Sequence, residues 1–147
     1  MRSTAVATAV LAALLMQSSI AHGQQVSTVG DIVDRGGKKF SKDEVKTLLS
    51  GATVSGTQGG NFPNTTFQNV FSAHGTVNGD AWNKGTWFSK ISGTWTVNDL
   101  GQVCSDLVNS QGGKIVGCNY YFALGNRYYA APTDGRSTPA NERQIAR

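Results

Sequence analysis

The sequence predicts a mainly β fold: a small antiparallel meander, closed as a barrel or folded as a sandwich, with one N-terminal amphipathic helix and one disulfide. Three observations lead there. Eighteen glycines in 147 residues suit a chain with many tight turns. After Gly51 the chain breaks into short alternating runs separated by glycine- and asparagine-bearing turns, the spacing of a small barrel or sandwich. The only two cysteines, Cys104 and Cys118, fall on two neighbouring runs.

The N-terminus has the three-part layout of a secretory signal peptide. Met1 and Arg2 give a positive start, Ala5 to Met16 is an apolar run interrupted by Thr8, and small residues follow at Ser19 and Ala21. The run is shorter than the roughly 20 residues that span a bilayer, so residues 1–21 are expected to be removed, with cleavage after Ala21 or as late as Gly23. About 125 residues remain, enough for one domain with a modest core. Residues 22–39 are polar and glycine-bearing and are expected to form a flexible arm, in which Val26, Val29, Ile32 and Val33 allow a short docked turn. Residues 40–131 are expected to form the domain.

The clearest local signal is FSKDEVKTLLSG, from Phe40 to Gly51. Ser41 and Glu44 form a capping box, and Phe40 can staple onto Val45. Val45, Leu48 and Leu49 share one helical face, and Gly51 supplies the left-handed stop. The helix is expected over 42–50, covering one end of a sheet. Strands follow at 52–55, 65–72, from Thr76, at 85–91, 93–97, 102–108, 114–123 and 127–130. The segment 79–84, with Trp82, reads as a connection. The last strand is expected at 127–130, and 132–147 lacks an apolar period and reads as a disordered tail.

An exported chain meets an oxidising compartment, where an even cysteine count implies disulfides. Only one pairing exists, Cys104 with Cys118. Counted from Gly112 they are nearly opposite, with an offset that a bulge or a diagonal bond would absorb. There is no C-x-x-C motif and too few histidines for a zinc site. Loop-closure entropy for about 15 residues corresponds to roughly 3 kcal/mol of stabilisation.

Charge and motifs narrow the function classes. The formal net charge is +4 with no basic block beyond Lys38-Lys39, so the concentrated basic face of a nucleic-acid binder is missing. No nucleophile elbow, phosphate loop or zinc-protease motif occurs. His74 sits in a predicted turn, and Asp80, Asp99, Asp106 and Asp134 read mostly as turn caps. No catalytic residue, cofactor or metal is expected. The aromatics cluster in the sheet half. Phe67, Phe71, Trp87 and Trp95 are the candidate interior. The doublets Tyr120-Tyr121 and Tyr128-Tyr129 put rings on both faces of neighbouring strands, so one face should display them. Trp82, Tyr121, Arg127 and Tyr129 are the candidate binding surface. Asn64-Thr65-Thr66 is a glycosylation sequon, without meaning in a bacterial chain.

The pattern FSAHGTVNG, GTW, SGTWTVNDLGQVC, GCNYY and GNRYY between Phe71 and Tyr129 resembles an uncharacterised family of small secreted proteins from Gram-negative bacteria. The resemblance covers residues 42–131 and rests on turn glycines, a tryptophan strand and the cysteines, which imply structure but no chemistry. Gly93-Thr94-Trp95 with Cys104 and Cys118 is also similar to the periplasmic inhibitors of alkaline metalloproteases. That resemblance implies a lipocalin-like barrel that inserts an N-terminal arm into a protease cleft, here residues 24–39. The expected function is therefore non-catalytic binding in the periplasm or outside the cell, as a hydrolase inhibitor or virulence-associated factor with an unidentified protein partner. The alternatives are a lipocalin-like binder of a small apolar ligand or lipid, and a hydrolase using Asp80 or Asp99 with His74. No nucleic-acid partner is expected, and no integral membrane segment after cleavage.

Overall fold

A computed structural model describes residues 25–58, 64–84 and 86–147. The signal peptide and its cleavage site lie outside the described residues. The elements run α1 (Val29–Asp34), β1 (Lys38–Lys39), α2 (Lys42–Leu49), β2 (Ala52–Thr57), β3 (Thr65–Phe71), β4 (Thr76–Asn83), β5 (Trp87–Val97), β6 (Val103–Asn109), β7 (Lys114–Leu124), β8 (Arg127–Ala131) and β9 (Asn141–Ala146). Strands β2 to β9 pair antiparallel in chain order, and β9 returns to pair with β2. The result is a closed eight-stranded up-and-down barrel, which leaves no free edge among these strands.

Helix α2 forms where the capping box directs it. Ser41 Oγ accepts from the Glu44 amide at 3.4 Å, and Glu44 Oε2 accepts from the Ser41 amide at 2.9 Å. Gly51 adopts φ +78°, the left-handed stop that a Cβ would penalise. Val45 and Leu49 are fully buried, and they close one end of the barrel over Val54, Phe71, Val77, Trp95 and Val103. Phe71 and Trp95 meet edge-to-face at 5.5 Å, and Trp95 Nε1 donates to the Ser72 carbonyl at 2.9 Å. This end is a packed core.

Period-two alternation fixes the inner face. Residues 65, 67, 69 and 71 of β3 lie against 83, 81, 79 and 77 of β4, and the row continues through 87–97 of β5, 103–109 of β6 and 115–121 of β7 in odd positions. Cys104 and Cys118, at even positions, are direct register partners on the outer face, with Cα atoms 4.0 Å apart and the sulfurs bonded. No bulge or diagonal is needed. The five-residue turn is centred on Gln111 rather than Gly112, because the Asn109 amide donates to the Gly113 carbonyl and Val108 pairs with Lys114.

Several expectations are corrected. Residues 79–83 are the second half of β4, not a connection. The two strands expected at 85–91 and 93–97 are one strand, β5. The arm is not loose over residues 25–39. Thr28 and Asp31 form a second capping box that starts α1, and the Val29 and Gly30 amides donate to the carbonyls of Thr138 and Arg136 at 3.0 and 2.8 Å. The tail is not disordered. Arg136 pairs with Asp34, Asp134 pairs with Lys39, and β9 supplies the closing strand. Val26, Val29 and Ile32 pack with Tyr120, Phe122, Tyr129 and Ala131 into a second cluster on the outer wall. This cluster explains the tyrosine doublets: inside, Tyr121 and Ala130 face the lumen, while outside, α1 covers their neighbours.

Candidate functional site

The two barrel ends differ. The strand ends near α2 carry large apolar side chains. The opposite ends, at residues 58, 65, 81, 87, 91, 109 and 113–116, surround a cavity of about 430 Å³, within the range that holds small molecules. Ala81, Trp87, Ile91 and Ile115 give it an apolar wall, and Gln58, Thr65, Asn109 and Lys114 add polar atoms. An eight-stranded barrel has an interior that side chains can fill or that can hold one small ligand. Here the side chains on the inner face decide between the two by layer. Phe71 and Trp95 fill the α2 end, whereas Ala81 leaves room toward the mouth, where it lines the cavity. Gly117 faces inward by its pairing with Ser105, itself paired with the buried Trp95, and a Cβ at Gly117 would meet no heavy atom within 4 Å.

Thr65 is 2% exposed, and its hydroxyl has no hydrogen-bond partner among the described residues. The same holds for Asn69 Oδ1, two positions deeper on the same inner row. Ser89, fully buried at the mouth, is by contrast bonded to Ser110 and Gln111 at 3.0 and 3.1 Å, which ties the β6–β7 turn to β5.

Arg143 is the one cation on the inner face of the barrel strands among the described residues. It pairs in register with Gly56, which in turn pairs with Phe67. Its Nη1 donates to the carbonyls of Thr57 and Glu142 at 3.0 and 2.9 Å, and the guanidinium lies 5.1 Å from the centre of the Phe67 ring. Burial lowers its pKa, an effect that the neighbouring Tyr121 hydroxyl opposes, and burial likewise raises the pKa of Tyr121. No carboxylate pairs with Arg143 among the described residues. Glu142 points outward and pairs with Arg127.

The structure separates the residues singled out by sequence. Of the interior set, only Trp87 lines the cavity, and it is 39% exposed at the rim. Phe67 is half-buried beneath Arg143, and Phe71 and Trp95 belong to the packed end. Of the surface set, Tyr121 and Tyr129 are 6% and 1% exposed and display nothing. Arg127 lies over the Tyr129 ring at 5.7 Å and is engaged by Glu142. Trp82 is half-buried on the outer wall, in a more open groove of about 710 Å³ with Thr57, Asn64, Thr66, Asn83 and Lys84. His74, Asp80 and Asp99 line neither cavity. Asp80 pairs with Lys90 on the outer face of β4, and Asp99 pairs with Lys42. Among the described residues no group of three or more His, Cys, Asp or Glu could hold a metal ion, and no helix is long and apolar enough to cross a membrane.

Sequence reasoning missed Thr65, Ala81, Ile91, Ile115 and Arg143. A signal existed for Thr65, Ile91 and Ile115, each at an inward position of a predicted strand, whereas Ala81 fell in the segment read as a connection. Small residues at inward positions mark a hollow, but that reading needs the register. No family model matches the chain, and no curated protein or solved structure is significantly similar to it.

Proposed function

We propose that the protein is an exported, non-catalytic binding protein whose barrel mouth takes a small, largely apolar ligand. The observation that carries this reading is the division of the barrel into a packed end under α2 and an open end with an apolar-walled cavity of about 430 Å³. An apolar wall with a few convergent polar atoms suits a ligand that is mostly hydrocarbon. Export is supported by the leader-like N-terminus and by the Cys104–Cys118 bond, which persists in oxidising compartments.

The inhibitor reading needs an arm free to enter a cleft. Residues 25–39 are instead held by α1, by backbone bonds to 136–140 and by the Lys39–Asp134 and Asp34–Arg136 pairs. Small-ligand binding is therefore the better-supported reading.

The test is titration of the native, disulfide-bonded protein with decanol, followed through Trp87 fluorescence and calorimetry. Saturable one-to-one binding is expected. Ala81→Phe, which puts a ring into the cavity, should abolish binding while the variant still unfolds cooperatively. Absence of binding to the native protein, or equal binding by Ala81→Phe, overturns the proposal.

A further inference from the structure

An isolated cation on the inner face of an otherwise neutral barrel is costly unless something offsets its charge. Arg143 has two backbone carbonyls and one aromatic face. These supply partial negative charge but no full counter-charge. Its nearest carboxylate in sequence, Glu142, alternates to the outer face and is taken by Arg127. Both backbone bonds use Nη1, which leaves the other guanidinium donors able to form the two parallel bonds that arginine makes to a carboxylate.

Its position matters as much as its charge. Arg143 stands opposite Gly56, and a Cβ at Gly56 would lie 3.0 Å from Arg143 Nη1, so glycine there makes the room for the guanidinium. Gly56 pairs with Phe67, one inward step, about 6–7 Å, from Thr65 on the cavity wall. Thr57, whose carbonyl Arg143 holds, adjoins Gln58, also on that wall. The cation therefore sits one inward layer below the cavity. Between them, the buried Thr65 hydroxyl has a donor with no protein acceptor among the described residues.

We propose that the ligand is an amphiphile with a single carboxylate head, oriented with its head toward Arg143 and Thr65 and its hydrocarbon chain along Ala81, Trp87, Ile91 and Ile115. One half-buried guanidinium on the inner face matches one negative charge, whereas a dianionic phosphate would leave a net charge there. Arg143 is then a specificity-determining residue. The Thr65 hydroxyl adds a donor to the second carboxylate oxygen. This rests on the small-ligand reading above and names its chemical class.

The experiment compares decanoic acid with decanol on the native protein at neutral pH, and on Arg143→Gln. The native protein should bind decanoate more tightly than decanol. Arg143→Gln should weaken decanoate about ten- to a hundredfold, as expected for a charge-assisted hydrogen bond, and leave decanol within about twofold. The Arg143 Nε resonance of the native protein should shift with decanoate and not with decanol, a readout that holds even if the variant fails to fold. Decanol binding with no preference for decanoate and no Nε shift overturns this inference and spares the cavity proposal. Equal weakening of both ligands in a folded Arg143→Gln assigns the residue a structural role and also overturns it. Binding of neither ligand overturns both proposals.

Discussion

Two inward-facing glycines on the barrel wall give opposite expectations for the same kind of substitution. Gly117 lies on β7 where a Cβ would find no heavy atom within 4 Å. Gly79 lies on β4 where a Cβ would stand 2.2 Å from the Gln68 carbonyl oxygen and 2.3 Å from Asn69 Oδ1. Neither glycine has a positive φ, so backbone strain does not enter. Replacing Gly117 by Leu removes the entropic cost of a strand glycine, about 0.5–1 kcal/mol, with no clash at this exposed position. The variant should be more stable by about 0.5–1 kcal/mol. Gly79→Ala must push β3 from β4 against their register pairing, and overpacking of that kind costs about 1–3 kcal/mol. Urea unfolding followed by tryptophan fluorescence reads both, with the slope checking that the transition stays two-state. Destabilisation of Gly117→Leu by more than about 1 kcal/mol would mean that the lumen is filled at that layer. The hollow barrel would then be wrong.

Three further expectations follow from named contacts. Ile145 packs against the core cluster and pairs with Val54 across the closing seam, so Ile145→Asp should cost about 2–4 kcal/mol in urea unfolding; a disordered C-terminus would give no change. The Glu44 carboxyl is held at about 2 by the Lys38 ammonium first and the Ser41 amide second. A carboxylate depressed on folding stabilises above its unfolded value of about 4.3 and loses that contribution as pH falls toward about 2, so the thermal midpoint should drop across that window, and Glu44→Gln should drop less. Reduction of Cys104–Cys118, or the double serine variant, should cost about 3 kcal/mol by loop closure, measured as a lower urea midpoint; an unchanged midpoint would show that the cross-link constrains nothing.

What could be read from the sequence follows from which signals are local. Helix α2 was legible because its cap, its apolar stripe and its stop all lie within twelve residues, Phe40 to Gly51. The strands were legible where glycine and asparagine turns bound them. Strand β9 was not, because its inward positions are Asn141, Arg143 and Ile145, and two polar residues in three erase the apolar alternation that marks a strand. The polar lumen that hid β9 is the same feature that places Arg143 inside. Helix α1 was legible only as a short docked turn that Val26, Val29, Ile32 and Val33 would allow, because its box ends in Asp31 rather than glutamate and only Val29 and Ile32 of its apolar side chains are buried. With the arm read as loose, Tyr121 and Tyr129 read as displayed rings, although Tyr121 packs in the inner core and Tyr129 lies in the cluster that α1 covers. The disulfide pairing was legible from the count alone, its register was not, since that depended on the turn centre at Gln111.

The most direct test of the account is an amide chemical-shift titration of the native, disulfide-bonded protein with decanoate. The account predicts saturable shifts concentrated at Thr65, Ala81, Ile91 and Ile115 on the cavity wall and at Arg143 below it, with Val70 and Phe88 on the outer wall unchanged. Shifts confined to the outer wall, or none at saturating ligand, would contradict it.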